Sequence, residues 1–500
     1  MISHSREGFH KMESSPTPSQ RTILPSTPRT IRPINNSKHE EAPTTPSLTS
    51  DGNNNDNNNN SSSNNNNGSN SNNVRPSYGQ YQLDLYTDAL LTGQKPIVTC
   101  DPNKLEEQAR AVMSTEGFDY VMGGAGEQST VVANRKAFAQ WRLVPRMLRG
   151  AVHRRDLGVK LFGRNYDSPV LMAPIGVQTA YHPEGEKAVA QACADLGVPF
   201  IFSTASTTTL EDVASEVFAP PPPSTPPASP SSSRSLPIPR AKHLWFQLYW
   251  PLDDDITASL LSRARVAGCE VLVVTLDTPT MSWRPYDLDN GFLPFSVGQG
   301  NALGFSDPVV QKRFADRFGF GADEPPTIED NVGAASRFWC GEVFSGNAHR
   351  WEDLATLRRL WGEERPIVLK GILSVEDAVL AAEHGVNGII VSNHGGRQLD
   401  GAVPALEVLP EIVDAVGERL TVMFDSGIRT GADALKALAL GAKAVLVGRP
   451  VIYGLGIAGY QGAKHVLAGL LADLDQSMGL SGVQRVAELN RSMLRKIHYA

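Results

Sequence analysis

The chain has 500 residues, 41% of them hydrophobic, and a formal net charge of −7. That length holds one large domain plus extensions, and the acidic balance points away from nucleic acid and anionic membrane surfaces. No apolar run is long enough to span a bilayer. The four cysteines, Cys100, Cys193, Cys269 and Cys340, lie far apart and form no C-x-x-C pair. They read as free thiols of a reducing compartment. No His/Cys/Asp cluster has metal-ligand spacing, so no structural metal is expected.

Residues 1–80 are Ser, Pro, Thr and Asn, ending in "DGNNNDNNNNSSSNNNNGSNSNN". Such a segment offers almost nothing to bury, and the sequence predicts a disordered tail. The first residues lack the apolar core of a secretory signal. "RTILPSTPRTIRP" has the Arg- and Thr-rich, acid-free composition of a mitochondrial presequence, but its prolines oppose the amphipathic helix that import needs. A cytoplasmic location is expected, with mitochondrial import as the alternative. "KIHYA" at the end is not a peroxisomal address of the S-K-L type.

Eight apolar runs follow in order: "PVLMAPIG" from Pro169, "PFIFSTA" from Pro199, "LWFQLY" from Leu244, "VLVVTLD" from Val271, "PIVLKG" from Pro366, "GIIVSN" from Gly388, "LTVMFDSG" from Leu420 and "AVLVG" from Ala444. Amphipathic segments usually separate them, such as "EKAVAQACADLG", "SVEDAVLAAEHG" and "GADALKALALG". Runs apolar on both faces and joined by helices predict a parallel sheet. Eight such units predict an α/β fold of the (β/α)8 TIM barrel type. Two stretches interrupt the pattern. "APPPPSTPPASPSSSRSLPIPRA", 219–241, reads as a polar loop insertion at the surface. Residues 285–350, after the fourth strand, form an unusually long connection, of the kind that often serves as a lid.

Active sites of this fold lie at the carboxyl ends of the strands, and most of these ends are polar or small. The last two deliver Asp425, Gly427 and Arg429 ("FDSGIR"), then Gly448 and Arg449 ("VGRP"). Glycines that admit a backbone to its ligand, two arginines and a helix amino terminus predict a phosphate site; the alternative is a pair of surface arginines beside capping glycines. Lys370 ends the fifth strand and could hold a phosphate, form a Schiff base or sit beside an anionic ring. His394, in "SNHGGRQLDG", could be a general base with Asp277 ("TLDTP") orienting it. Arg397 and Arg284 could each grip a carboxylate bidentately, and Tyr120 and Tyr249 could add hydroxyl donors.

These residues resemble a known family. "SNHGGRQLDG" is similar to the active-site signature of the FMN-dependent L-2-hydroxy acid oxidising enzymes, and "FDYVMGGAGEQSTVVANRKAF", "APIG", "HPEGE", "FQLYW", "TLDTP", "LKGI", "FDSGIRTGADALKALALGA" and "VGRP" match in the same order. The resemblance runs from about Leu83 to the end, so residues 81–500 are expected to form one FMN-binding hydroxy acid dehydrogenase barrel. It implies His394 as the base toward substrate and Asp277 as its orienting carboxylate. Arg284, Arg397 and Tyr120 are implied as carboxylate ligands, and Tyr249 as the hydroxyl near the substrate oxygen. For FMN it implies Lys370 at the ring N1 and O2, with Ser203, Gln247, Thr275 and the backbone of Pro174, Ile175 and Gly176 also against the ring. Asp425 would meet the ribityl chain, and Gly427, Arg429, Gly448 and Arg449 the phosphate.

"SWRPYDLDNGFLPF", "SDPVVQKRF", "FWCGEVFSG" and "WEDLATLRRLW" are most similar to the lactate 2-monooxygenase branch, although Tyr286 stands where that lid carries a basic residue. Ala205 stands where glycolate oxidases carry a bulky aromatic, leaving room for a methyl group or more. The resemblance therefore implies oxidation of a small L-2-hydroxy acid, L-lactate above others, with O2 as acceptor and acetate, CO2 and water as products. An oxidase releasing pyruvate and peroxide is the alternative, and a non-catalytic flavin-binding protein or another phosphate-binding barrel the rivals. A homo-oligomer, often a tetramer in this family, is expected.

Overall fold

A computed structural model describes residues 77–150, 155–220, 241–319, 326–347 and 349–497. The tail expected over 1–80 lies outside them up to residue 76, as does the insertion over 221–240. The barrel strands are β1 (Val170–Met172), β2 (Phe200–Ser203), β3 (Leu244–Leu248), β4 (Leu272–Thr275), β5 (Ile367–Ile372), β6 (Gly388–Val391), β7 (Thr421–Phe424) and β8 (Ala444–Val447). Neighbours pair in parallel and the sheet closes on itself, giving the (β/α)8 barrel that the sequence predicted. All the strands except β5 are shorter than their apolar runs, because the last residues of those runs bend away into the loops that carry the site.

Each strand leads to a helix: α1 (Gly185–Leu196), α2 (Leu210–Phe218), α3 (Asp254–Val266), α4 (Leu354–Trp361), α5 (Val375–Glu383), α6 (Ala405–Val416), α7 (Gly431–Ala439) and α8 (Arg449–Leu480). The starts are set locally. Thr209, Asp253, Ser374 and Thr430 cap α2, α3, α5 and α7, each accepting from a backbone N–H of the first turn. Alternation along the strands divides the core. Leu171, Ile201, Trp245, Val273, Val368, Ile390, Met423 and Leu446 meet inside the barrel, while their neighbours join a larger cluster under the helices.

The end of the barrel remote from the site is plugged by a hairpin, Val159–Leu161 with Arg164–Tyr166. Its loop residues Phe162 and Gly163 both take positive φ, 50° and 80°, as a two-residue hairpin turn requires. Leu161 and Tyr166 join the inner cluster, and Phe162 and Tyr166 both bring their rings to 5.9 Å from that of Trp245.

Between β4 and α4 the connection is built mostly of helix. It carries the segments Pro285–Asp289, Ala302–Phe305, Pro308–Phe318 and Val332–Val343, with short 3-10 turns at Pro294–Val297, Glu329–Asn331 and Trp351–Asp353. Ahead of the barrel, helix Thr115–Met122 and helix Ser129–Ala139 bring Tyr120 and Asn134 to the carboxyl face. None of the described helices is long and apolar enough to cross a membrane.

Candidate active site

The strand ends surround an open cavity at the carboxyl face, with helix Thr115–Met122 and two phenylalanines of the long connection completing its wall. Its centre is the turn after β6. Asn393 leaves the strand, and His394, Gly395 and Gly396 then take φ of 57°, 66° and 76°. A left-handed histidine is costly, on the order of 1–3 kcal/mol, and persists only where its surroundings impose it. Here they do. Ser392 Oγ accepts from the His394 N–H (3.1 Å), Ser426 Oγ accepts from the Gly395 N–H (3.0 Å), and Asn393 Oδ1 accepts from the Gly396 N–H (3.1 Å).

The strained backbone aims His394 Nδ1 at Asp277 Oδ1, 2.7 Å away. Thr278 Oγ1 donates to the same carboxylate oxygen at 2.9 Å. Burial alone would raise the Asp277 carboxyl, but the charges of His394 and Lys370 and the hydrogen bonds from His394 and Thr278 hold it well below the usual range. Burial lowers the His394 imidazole, Asp277 opposes this, and Lys370 adds to it, leaving the ring below its ordinary value. The pair at neutral pH is therefore a carboxylate and a neutral imidazole with its proton on Nδ1 and the Nε2 lone pair unused.

Lys370 is 3% exposed. Its Nζ donates to Ser392 Oγ (3.0 Å) and stands 3.5 Å from Asp425 Oδ2 and 3.8 Å from Asp277 Oδ2. Burial works against its charge, but Asp425 and Asp277 outweigh it and hold the ammonium above its ordinary value. Asp277 Oδ2 is buried without a hydrogen bond, so this lysine is its nearest compensation.

Four arginines share the cavity wall. Arg397 Nη1 donates to the carbonyls of Tyr120 (2.6 Å) and Gly123 (2.7 Å), and its guanidinium lies 5.1 Å from the Tyr120 ring centre. Arg284 donates to Ser282 Oγ, to the Arg397 carbonyl and to Gln398 Oε1. Arg449 donates to the carbonyls of Val121 (2.8 Å), Gly395 (2.9 Å) and Gly123 (2.9 Å). Burial and the charge of Arg397 pull it down to about 9, so it remains charged at neutral pH. Burial also lowers Arg429, whose Nη1 donates to the Ile428 carbonyl. A buried wall this cationic calls for anions.

Tyr120, Pro174, Ile175, Gly176, Tyr249, Arg284, Lys370, His394, Arg397, Asp425, Gly427, Arg429, Gly448 and Arg449 all line this one cavity, as the sequence grouped them. Asp277 stands behind His394. Ser203, Gln247 and Thr275 do not line it; they form a buried chain in which Ser203 Oγ donates to Gln247 Oε1 (3.1 Å) and Gln247 Nε2 to Thr275 Oγ1 (3.0 Å). Several contributors went unread. Ser392 and Ser426 stood inside quoted motifs, but their work is to brace a turn whose strain no sequence pattern displays. Phe295 and Phe344 also stood inside quoted motifs, with no role assigned to them.

The family model for FMN-dependent dehydrogenase matches residues 109–496. An FMN-dependent alpha-hydroxy acid dehydrogenase of Penicillium citrinum is 48% identical over 423 residues, 85% of this chain and 97% of that protein. An L-lactate oxidase of Lysinibacillus sphaericus is 39% identical, over 81% of this chain and 95% of that one. A solved structure of mandelate oxidase with (S)-4-hydroxymandelic acid superposes with a TM-score of 0.64 at 38% identity, covering 79% of this chain and 98% of that one. Barrel, cavity and relatives agree: this chain belongs to the FMN-dependent dehydrogenase family, as an FMN-dependent 2-hydroxy acid oxidoreductase.

Proposed function

We propose that the enzyme oxidises a small L-2-hydroxy acid, L-lactate above others, with O2 as acceptor, and that pyruvate and peroxide react before release to give acetate, CO2 and water. The reading rests on one observation: a neutral histidine oriented by a carboxylate shares a cavity with five buried or half-buried cations. The donor chemistry fits FMN. A phosphate needs the charges of Arg429 and Arg449, the backbone of Gly427 and Gly448, and the amino terminus of α8. A ring that becomes anionic needs a buried cation, for which Lys370 is suited.

When bound, FMN supplies an acceptor for two electrons and a hydrogen from the substrate carbon. The side chains do the rest. Arg284 and Arg397 hold the carboxylate, with Tyr120 as a further donor. His394 Nε2 takes the substrate proton, and Asp277 stabilises the resulting imidazolium. Burial, with the charge of Asp277, pushes the Tyr249 hydroxyl up to about 12, so it stays protonated and can donate to the substrate oxygen. Ala205 at the cavity wall leaves room for a methyl group. The helical connection over 285–350 supports retention of the first products, as a lid would. A homo-oligomer is part of the same reading.

The test is product analysis with purified protein, L-lactate, air and excess catalase. Catalase removes peroxide that leaves the site, so acetate forms only if peroxide meets pyruvate inside. Acetate is expected. Pyruvate alone would overturn the monooxygenase outcome and leave an L-lactate oxidase, the activity named for the Lysinibacillus relative.

A further inference from the structure

A second cavity lies against the first, and Tyr249 and Thr278 belong to the walls of both. The end of helix Val332–Val343 runs between them. Phe344 lines the first cavity, whereas its chain neighbours Val343 and Ser345 line the second. The second cavity has an aromatic and aliphatic side, with Trp250, Trp351, Leu354 and Pro279 in its wall, and a polar side that includes Asn347 and Arg350. The ring of His349 stacks on Trp250 at 3.9 Å and 11°.

The partition is firmly mounted. The Phe344 ring packs against Tyr249 (5.0 Å, 60°) and Phe295 (5.4 Å, 49°). Its N–H donates to the Cys340 carbonyl (2.8 Å), and the Gly346 N–H donates to the Pro279 carbonyl (3.0 Å), fixing the segment to the loop after β4. One side chain thus stands between the chamber that holds the catalytic pair and a second chamber, walled on one side by Trp250, Trp351 and Leu354, that no step of the proposed reaction uses.

We infer that Phe344 sets the upper size of the substrate side chain, walling off a chamber whose tryptophan-lined side would otherwise accept the ring of an aromatic L-2-hydroxy acid. This rests on the functional reading above. With Phe344 in place a methyl side chain meets an aromatic wall. With the ring removed, an aryl side chain takes its position against Tyr249 and Phe295, whose faces and edges suit another ring, and extends into the second chamber.

The experiment compares kcat/KM for L-lactate and (S)-3-phenyllactate in wild type, Phe344→Ala, Phe344→Val and the double variant Phe344→Ala with Ser345→Phe. Phe344→Ala should raise the phenyllactate-to-lactate ratio about 10- to 100-fold, and Phe344→Val should raise it less. Ser345→Phe fills the second chamber and should cancel the gain in the double variant while leaving its lactate kinetics as in Phe344→Ala. Flavin content and melting temperature report folding for every variant. An unchanged ratio in both folded single variants would overturn the inference. So would a gain that survives Ser345→Phe, or a wild type that already prefers phenyllactate. If no 2-hydroxy acid bleaches the wild-type flavin without oxygen, the functional reading itself has failed and the partition falls with it.

Discussion

Arg397, on the loop after β6, and Arg449, the first residue of α8, donate to the same oxygen, the carbonyl of Gly123, at 2.7 Å and 2.9 Å. That carbonyl follows the end of helix Thr115–Met122, where the backbone dipoles place partial negative charge. The helix end therefore solvates two guanidiniums at once, and it links the residue expected at the phosphate to one expected at the substrate carboxylate.

The first prediction follows from that link. Arg449→Lys keeps the charge but loses the fork that reaches three carbonyls. FMN affinity should fall by about 10- to 100-fold, the value of one or two charge-assisted hydrogen bonds. Titration of apoprotein by flavin fluorescence measures this. Because Gly123 is shared, the KM for substrate should rise as well in FMN-saturated enzyme. A variant with weaker FMN binding and an unchanged KM would show the shared carbonyl to be without consequence for substrate.

The second concerns pH. His394 acts as a base when neutral, and burial holds it below the ordinary imidazole value of about 6.5. The acid limb of kcat/KM should therefore begin below that value. Asp277 raises His394, so Asp277→Asn should move the limb to still lower pH. It should also cut kcat by about 10²–10⁴-fold, because the imidazolium loses its counter-charge. Anaerobic flavin bleaching across pH reads both effects. A limb that moved upward would exclude this pairing as the source of the profile.

The barrel was legible because its strands are buried on both faces, so each shows as an apolar run that stands apart from the amphipathic helices around it. The plug was not. In the hairpin, Lys160, Arg164 and Asn165 face outward and interrupt the apolar residues that plug the barrel, Leu161 and Tyr166 with Val159 and Phe162 beside them, so three-residue strands look like loop. At the site, His394, Arg397 and Asp277 were legible as types at strand ends. The positive φ of His394 and the shared acceptor of Arg397 and Arg449 arise only from tertiary packing.

A third prediction separates the two expected carboxylate ligands. Arg397 is held by carbonyls and by the Tyr120 ring, whereas Arg284 is braced by Gln398, which itself donates to the Asp277 and Thr280 carbonyls. Arg397→Lys and Arg284→Lys should each raise KM about 10-fold or more. Arg284→Lys should also lower kcat, because Gln398 loses its partner and the loop that carries Asp277 loosens. Equal effects of the two variants on kcat would count against that brace.

The fourth concerns Asp400, the acid of "RQLDG". It does not enter the cavity. Its carboxylate accepts from the Glu127 N–H (2.9 Å), from Ser129 Oγ (2.8 Å) and from the Thr130 N–H (3.1 Å). Helix Ser129–Ala139 starts from Gln128, which offers no side-chain cap, so Asp400 supplies the cap from across the molecule. The same segment is tied to the site on both sides, since the Ala125 N–H donates to the Gly396 carbonyl and the Gly126 N–H to the Trp283 carbonyl. Asp400→Ala should cost about 0.5–2 kcal/mol, the usual loss for a missing cap, and Asp400→Asn less, because its amide oxygen still accepts. Hydrogen bonds hold the Asp400 carboxyl below its ordinary value although burial opposes them. Its contribution is therefore present above about pH 4 and lost as pH falls through the lower folded value. Both variants should raise KM with little change in kcat, because the segment positions Tyr120 and the Gly123 carbonyl rather than the base. Thermal melts at neutral pH and at pH ~3, with steady-state kinetics, check each part. A melt unchanged by Asp400→Ala would mean that the turn over 125–128 holds the helix without its distant cap.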